Sequence, residues 1–221
     1  MRINKYLAQA TGMSRRAADA VIAEGRVALN GNPIHLGDQV SDSDTVTLDN
    51  RPVTPIAKTI TIMINKPTGY VVSRDGQGAP TVYSLLPEEY HVLKPIGRLD
   101  KDSSGLLLLT NDGDLAQELT HPSYAKTKVY EIRLDKPLAP LHQQMINDHG
   151  IKLEDGNSQL GLHKLDDEGR DWEITMREGR NRQIRRTFEA LGYKVIKLHR
   201  TNFGPYSLAQ IAATQRYSII D

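Results

Sequence analysis

At 221 residues the chain is longer than one small domain needs and comfortable for two. Its 38% hydrophobic and 25% charged residues exclude a disordered or fibrous protein, and the complete lack of cysteine excludes disulfides and thiolate chemistry. The net charge of +1 excludes nothing by itself, but its distribution is uneven. Arg2, Lys5, Arg15, Arg16 and Arg26 crowd the first thirty-five residues against only Asp19 and Glu24. A second segment, Arg177 to Arg200, carries eight basic residues against Glu178 and Glu189. Two separated basic segments suit two surfaces meeting one polyanion, or else two solvated faces balanced by acidic neighbours in space.

The N-terminus lacks the apolar stretch of a signal peptide. The longest apolar run, Leu106 to Leu109, is far short of the ~20 residues that span a bilayer. A cytoplasmic protein with no membrane partner is therefore expected. Ile3, Leu7 and Ala10 recur at helical spacing up to Thr11-Gly12. Ser14 offers an N-cap to a second helix striped with Ala17, Ala18, Val21 and Ile22 and closed by Gly25. Arg26 to Leu29 reads as a strand, Asn30-Gly31 as a tight turn, and Val40, Val46 and Leu48 as further short strands. The expected organisation is a front domain over residues 1–50, a linker over 51–58 and a body over 59–221.

The stretches Arg2-Ile3-Asn4-Lys5-Tyr6-Leu7, Ser14-Arg15-Arg16-Ala17-Ala18 and Gly25-Arg26-Val27 leading to Asn30-Gly31 resemble the S4 RNA-binding domain. That resemblance implies that Arg15 and Arg16, on the first turn of the second helix, grip RNA phosphates with Lys5 and Arg26 nearby. Such contacts position RNA without reading its sequence.

In the body, strands are predicted at Thr59–Ile64, Tyr70–Ser73, Val92–Ile96, Leu106–Thr110, Val129–Leu134, Gly161–Leu165, Trp172–Met176 and Lys194–Arg200. Helices are predicted at Val82–Leu86, Asp114–Leu119, Leu138–Asp148 and Asn181–Leu191. Strands dominate, with no run of βα units and no dinucleotide-binding glycine motif. The expected class is α+β, a small front module followed by a body with a mixed, mostly antiparallel sheet flanked by helices.

Between two apolar strands lies the polar segment Gly97-Arg98-Leu99-Asp100-Lys101-Asp102-Ser103-Ser104-Gly105. Catalytic groups favour loops held by rigid strands, yet a loop aspartate is more often a turn former, so Asp100 has two readings on local pattern alone. Asp112-Gly113-Asp114 reads as a helix cap. The histidines show no zinc-ligand spacing, His142 and His149 read as helix-surface residues, and no metal is expected.

The stretch Gly97 to Gly113 resembles the catalytic motif of the Rsu-type family of bacterial ribosomal-RNA pseudouridine synthases, with the family's aspartate falling on Asp100. Asn65-Lys66-Pro67-Thr68-Gly69-Tyr70-Val71-Val72-Ser73 resembles the family's first motif, and Arg177 to Arg186 its basic C-terminal motif. The likeness covers essentially the whole chain. It implies an isomerase that breaks the N1–C1′ bond of a uridine in ribosomal RNA, rotates the uracil and rejoins it through C5, with no cofactor. Asp100 would attack C1′, or remove the 2′ proton to give a glycal.

A charged carboxylate in a water-poor pocket needs a counter-cation. Within the helix expected from Asn181, Ile184, Phe188 and Leu191 face the core and Arg182 and Arg186 face solvent or phosphate. Arg185 falls at the seam, and it also matches the arginine that pairs with the aspartate in related synthases. The same residue could simply lie along the helix edge. Tyr130 matches the tyrosine that the wider family places in its pocket, where it would stack on uracil, and is equally suited to core packing. Arg98, two residues before Asp100, projects to the same face and is expected to contact RNA with Lys66, Arg180, Arg182 and Arg186. Extruding the base costs a few kcal/mol, recovered through phosphate contacts. A large-subunit site is favoured over a small-subunit one, in a monomer with no obligatory protein partner. The competing reading is an S4-type assembly factor that has kept the fold and lost the chemistry.

Overall fold

The computed structural model describes residues 1–55, 59–76, 78–212 and 215–220. Two units divide the chain, residues 1–60 and 61–221. In the first, α1 (Ile3–Thr11) ends where Gly12 adopts a left-handed conformation and donates its N–H to the Ala8 carbonyl. Ser14 Oγ accepts the Ala17 N–H and starts α2 (Arg15–Ala23). Asn30 and Gly31, both at positive φ, turn β1 (Val27–Leu29) into β2 (Asn32–Pro33). The sheet is completed by β3 (Val46–Leu48) and β4 (Arg51–Pro52), in the order β2-β1-β3-β4. Ile3, Leu7, Ala18, Ile22, Val27 and Val46 form its core. Val40, expected in a strand, is buried in that core outside any strand. The front sheet runs into the segment expected to be linker, because β4 pairs with β3. Residues 56–58 of that expected linker lie outside the described residues.

The second unit is built from β5 (Thr61–Lys66), β6 (Lys94–Ile96), β7 (Ser104–Thr110), α3 (Gly113–Thr120), β8 (Lys128–Leu134), α4 (Pro140–Gln144), β9 (Ile151–Leu153) and β10 (Gly156–Ser158). It continues through β11 (Gly161–Lys164), β12 (Asp171–Met176), α5 (Gln183–Glu189), β13 (Val195–Phe203), β14 (Tyr206–Ser207) and β15 (Tyr217–Ile220). The main sheet runs β11-β12-β8-β13-β7-β5-β15, with β14 on β13 and β6 on β7. Its pairs are antiparallel except β13 with β7. The fold is thus α+β with a mixed, mostly antiparallel sheet. Among the described residues no helix is long and apolar enough to cross a membrane.

Several elements differ from the sequence pattern. Tyr70–Ser73 forms no strand: Gly69 at φ 91 turns the chain, and Val71 makes only an isolated bridge to Thr81. The helix expected over Leu138–Asp148 starts later, at Pro140, whose missing N–H suits a first turn, and loosens into a π turn at Met145–His149 before Gly150. The hairpin β9–β10 and the strands β14 and β15 carry little alternation and were not predicted. Asp112 does cap a helix, its carboxylate accepting the Asp114 and Leu115 N–H groups.

The centre of the sheet depends on Gly105. Its φ is 109, and a side-chain carbon there would stand 2.2 Å from the Arg200 carbonyl oxygen and 2.5 Å from the Arg200 nitrogen. Only a glycine lets β13 lie alongside β7 at this point. Gly105→Ala is expected to cost at least about 3 kcal/mol of unfolding free energy, read from urea denaturation. A loss below about 1 kcal/mol would mean the strands separate without difficulty.

Candidate active site

A cleft of about 570 Å³ opens over the sheet. Its floor follows from register. Ile174, Tyr130, Arg200 and Gly105 make one transverse row across β12, β8, β13 and β7, and Met176, Lys128 and Phe203 make the next. Opposed residues in neighbouring strands share a face, so the buried side chains of these rows lie together. One wall is the connection from β6 to β7, residues 97–103. Another is the basic segment before α5, and Leu119 to His121 close a third side.

Arg98, Leu99 and Asp100 all line the cleft, Leu99 as a buried residue between the two charged ones. Arg98 is exposed; the Asp100 side chain keeps 35% of its surface accessible. The guanidinium beside the Asp100 carboxylate belongs to Arg182, at 3.6 Å. This corrects the assignment of that place to Arg185. The helix begins at Gln183, two residues later than expected, and Arg182 at its N-cap takes φ 47, ψ 30. A left-handed residue leaves the helical register, so Arg182 reaches Asp100 at the cleft while its side chain stays exposed. Arg185 reaches the same loop through its backbone, donating to the Asp102 carbonyl at 3.1 Å and the Val195 carbonyl at 2.6 Å. Burial, and then the neighbouring Arg182, push the Arg185 guanidinium below its ordinary pKa, against Asp100 and Asp102.

Lys66 is not available to RNA. It has no solvent-accessible surface, and its Nζ donates to the carbonyls of Pro67 at 3.0 Å, Asp100 at 3.1 Å and Ser103 at 2.6 Å. Burial lowers its pKa to about 8, while Asp100 and Asp102 pull the other way. The expected phosphate contacts at Arg180 and Arg186 are also corrected, because both forks close on Asp155 at the β9–β10 turn. Arg180 donates to Asp155 at 2.9 Å and to the Asn157 carbonyl at 2.8 Å; Arg186 donates to Asp155 at 2.7 and 3.1 Å. Gln183, buried, links this cluster to Glu178 and, at 3.0 Å, to Ser158.

Tyr130 lies in the floor at 8% exposure, both packed and lining the cleft. Two floor cations were missed by sequence reasoning, which took Arg200 as one more charge in a basic segment. Arg200 is 2% exposed, its guanidinium 4.8 Å from the Phe203 ring centre, and Lys128 stands 5.4 Å from the same ring. Burial and the nearby Arg200 depress the Lys128 pKa. The glycine at 105 was the available signal: a gap in one strand marks where a neighbour's backbone comes close.

In the front unit Arg15 and Arg16 are exposed on the first turn of α2, with Arg15 donating to Asn4 at 3.2 Å. Lys5 is half-buried on α1. Arg26 is engaged by Asp49 at 2.7 and 2.8 Å and by Glu24 at 3.0 Å, which hold its proton more tightly than usual and tie the start of β1 to the end of β3. Its fork is therefore not open to phosphate as expected. His142, read as a plain surface residue, pairs through Nδ1 with the Tyr193 hydroxyl at 2.8 Å.

A carboxylate beside a guanidinium, over a floor with one aromatic phenol and spare cations, suits a planar, polar guest tethered to a polyanion. The chain belongs to the RNA pseudouridylate synthase family, whose model matches residues 60–190; the S4 domain model matches residues 1–55. An RNA pseudouridine synthase of Aquifex aeolicus is 37% identical over 96% of this chain and 87% of its own length. Ribosomal large subunit pseudouridine synthase B of Bacillus subtilis is 37% identical over 91% of the chain and 85% of its own length. The chain spans only 40% to 45% of the length of the proteins of that same name from Xanthomonas and Xylella. A crystal structure of a pseudouridylate synthase superposes with a TM-score of 0.69 at 29% identity, covering 100% of this chain and 96% of that one.

Lys66 provides a pH test. Between about pH 8 and 10.5 the unfolded chain keeps a proton that folded Lys66 has released, so its contribution to stability rises with pH across that window. Relative to Lys66→Met, the wild type is expected to gain on the order of 3 kcal/mol from the lower to the upper limit, measured by urea unfolding at stepped pH. A constant difference would mean that Lys66 titrates normally.

Proposed function

We propose that the chain isomerises a uridine of ribosomal RNA to pseudouridine, at a large-subunit position. The observation that carries this reading is the Asp100 carboxylate, partly open to the cleft and 3.6 Å from the Arg182 guanidinium. Several relatives share the name ribosomal large subunit pseudouridine synthase B, which favours the large subunit over the small.

The everted uridine enters with its ribose toward Asp100 and its base on the floor beside Tyr130. Arg182 stands beside the carboxylate at 3.6 Å as its counter-charge. Asp100 then bonds to C1′ as the N1–C1′ bond breaks, or takes the 2′ proton and leaves a glycal; in both routes the electron pair goes to the uracil. The base turns, and C5 bonds to C1′ as the Asp100–C1′ bond breaks or as the proton returns to C2′ of the glycal. C5 then loses its proton with Tyr130 close by, N1 takes one up from solvent, and the product is an isomer of the substrate. Arg98 and Arg177, exposed at the rim, meet flanking phosphates. Arg15, Arg16 and Lys5 of the front unit bind RNA backbone. The setting is the cytoplasm, during ribosome biogenesis, with the chain as a monomer.

Purified chain incubated with unmodified large-subunit rRNA is expected to form pseudouridine, and Asp100→Asn to form none while its RNA affinity stays within a few fold. Substantial turnover by that variant would remove Asp100 from the chemistry. Reversing charge at Arg15 and Arg16 together should weaken RNA binding and reduce the log–log salt slope by roughly 2. An unchanged slope would place the RNA grip elsewhere.

A further inference from the structure

Two polar groups in the cleft have nothing to bind. Ser103 is 1% exposed and Arg200 2%, both line the cleft, and neither Ser103 Oγ nor Arg200 Nη2 has a hydrogen-bond partner among the described residues. Other atoms of each residue are held by the fold. The Ser103 carbonyl accepts the Lys66 ammonium at 2.6 Å, and Arg200 Nε donates to the Leu106 carbonyl at 2.8 Å. The guanidinium is further held against Phe203. A register shift follows immediately, between Arg200 and Asn202 of β13, and bulges of this kind re-aim side chains beside active sites. Buried donors are normally satisfied, so two in one cleft, each held by its own backbone or stem, are donors kept for a guest.

We propose that Ser103 and Arg200 bind the carbonyl oxygens of the everted uracil, and that the Arg200 guanidinium takes up the negative charge that develops on the base as its N1–C1′ bond breaks. The inference rests on the pseudouridine reading of the cleft and adds the base-binding half that Asp100 does not supply. Uracil has carbonyl acceptors at C2 and C4, matching a hydroxyl and a guanidinium N–H. When the glycosidic bond parts, its electron pair delocalises from N1 onto these oxygens. Arg200 donates hydrogen bonds to one of them and transfers no proton. A fixed cation in a water-poor floor is worth most where charge appears only during the reaction. A phosphate fits this place poorly, because Ser103 in the wall and Arg200 in the floor are both buried, with Leu198, Met176 and Phe203 buried in the same lining, whereas Arg98 and Arg177 are exposed at the rim.

The test is single-turnover loss of the target N-glycoside in an rRNA fragment carrying uridine or 5-fluorouridine, with Ser103→Ala and Arg200→Lys beside wild type. Fluorine withdraws electrons from the detached base, so it replaces part of what the guanidinium supplies. Arg200→Lys is expected to slow uridine cleavage roughly 100-fold and to recover at least several fold on the fluorinated substrate. Ser103→Ala is expected to slow it roughly 5- to 10-fold with an unchanged or higher thermal midpoint, since its hydroxyl bonds nothing in the fold. Ser103→Ala turnover within twofold of wild type overturns the proposal, as does a folded Arg200→Lys whose deficit is equal on both substrates. If Arg200→Lys does not fold, Ser103→Ala decides alone. Wild-type chain that leaves uridine untouched removes the reading of the cleft, and this proposal with it; active wild type with indifferent variants removes the floor donors only.

Discussion

An ammonium sealed from water organises the segment on which the cleft is built. Lysine is almost never fully buried unless its charge is met, and Lys66 is met by three backbone carbonyls instead of a carboxylate. Those carbonyls come from its own neighbour and from both sides of the Lys101-Asp102 turn. The charge-assisted bonds leave the lysine little freedom and fix the backbone of Asp100 and Ser103 at once. Because the carbonyls do the neutralising, the Asp100 carboxylate is not consumed as a structural counter-ion.

The same economy recurs around the cleft. Arg185 braces the loop through the Asp102 carbonyl, and Asp155 takes the forks of Arg180 and Arg186, so three of the basic residues before and within α5 shape the site while Arg182 faces the carboxylate. Gly105 lets β13 close in from the other side and brings Arg200 into line with Tyr130. In the floor, Arg200 is held through Nε by the Leu106 carbonyl and Lys128 through Nζ by the Glu178 carbonyl, with both cations against the Phe203 ring.

Much of this was legible in the sequence. The leucine run of β7, the capping residues Ser14 and Asp112 and the Asn30-Gly31 turn follow from local rules that tertiary structure did not override, whereas Asp100 was singled out by the family resemblance and not by its local pattern. What stayed hidden has physical causes. Asn181-Arg182 carries no glycine, so nothing announced the left-handed turn that exchanges the roles of Arg182 and Arg185. Lys66 sits in a motif where a lysine reads as a surface cation, and only the paired carbonyls of a distant loop make its burial tolerable. The β9–β10 hairpin is short and polar, its Asp155-Gly156 turn being the one hint, and β15 pairs with β5 across most of the unit. Pairings at that separation leave no trace in a local pattern.

The most direct measurement is a crystal structure of the Asp100→Asn chain with an rRNA fragment containing its target uridine. The account predicts one nucleotide turned out of its stack, with C1′ and C2′ facing position 100 and the uracil lying on the Tyr130–Arg200 floor. RNA bound with every base stacked outside the cleft, or a uridine seated with its ribose away from position 100, would contradict it.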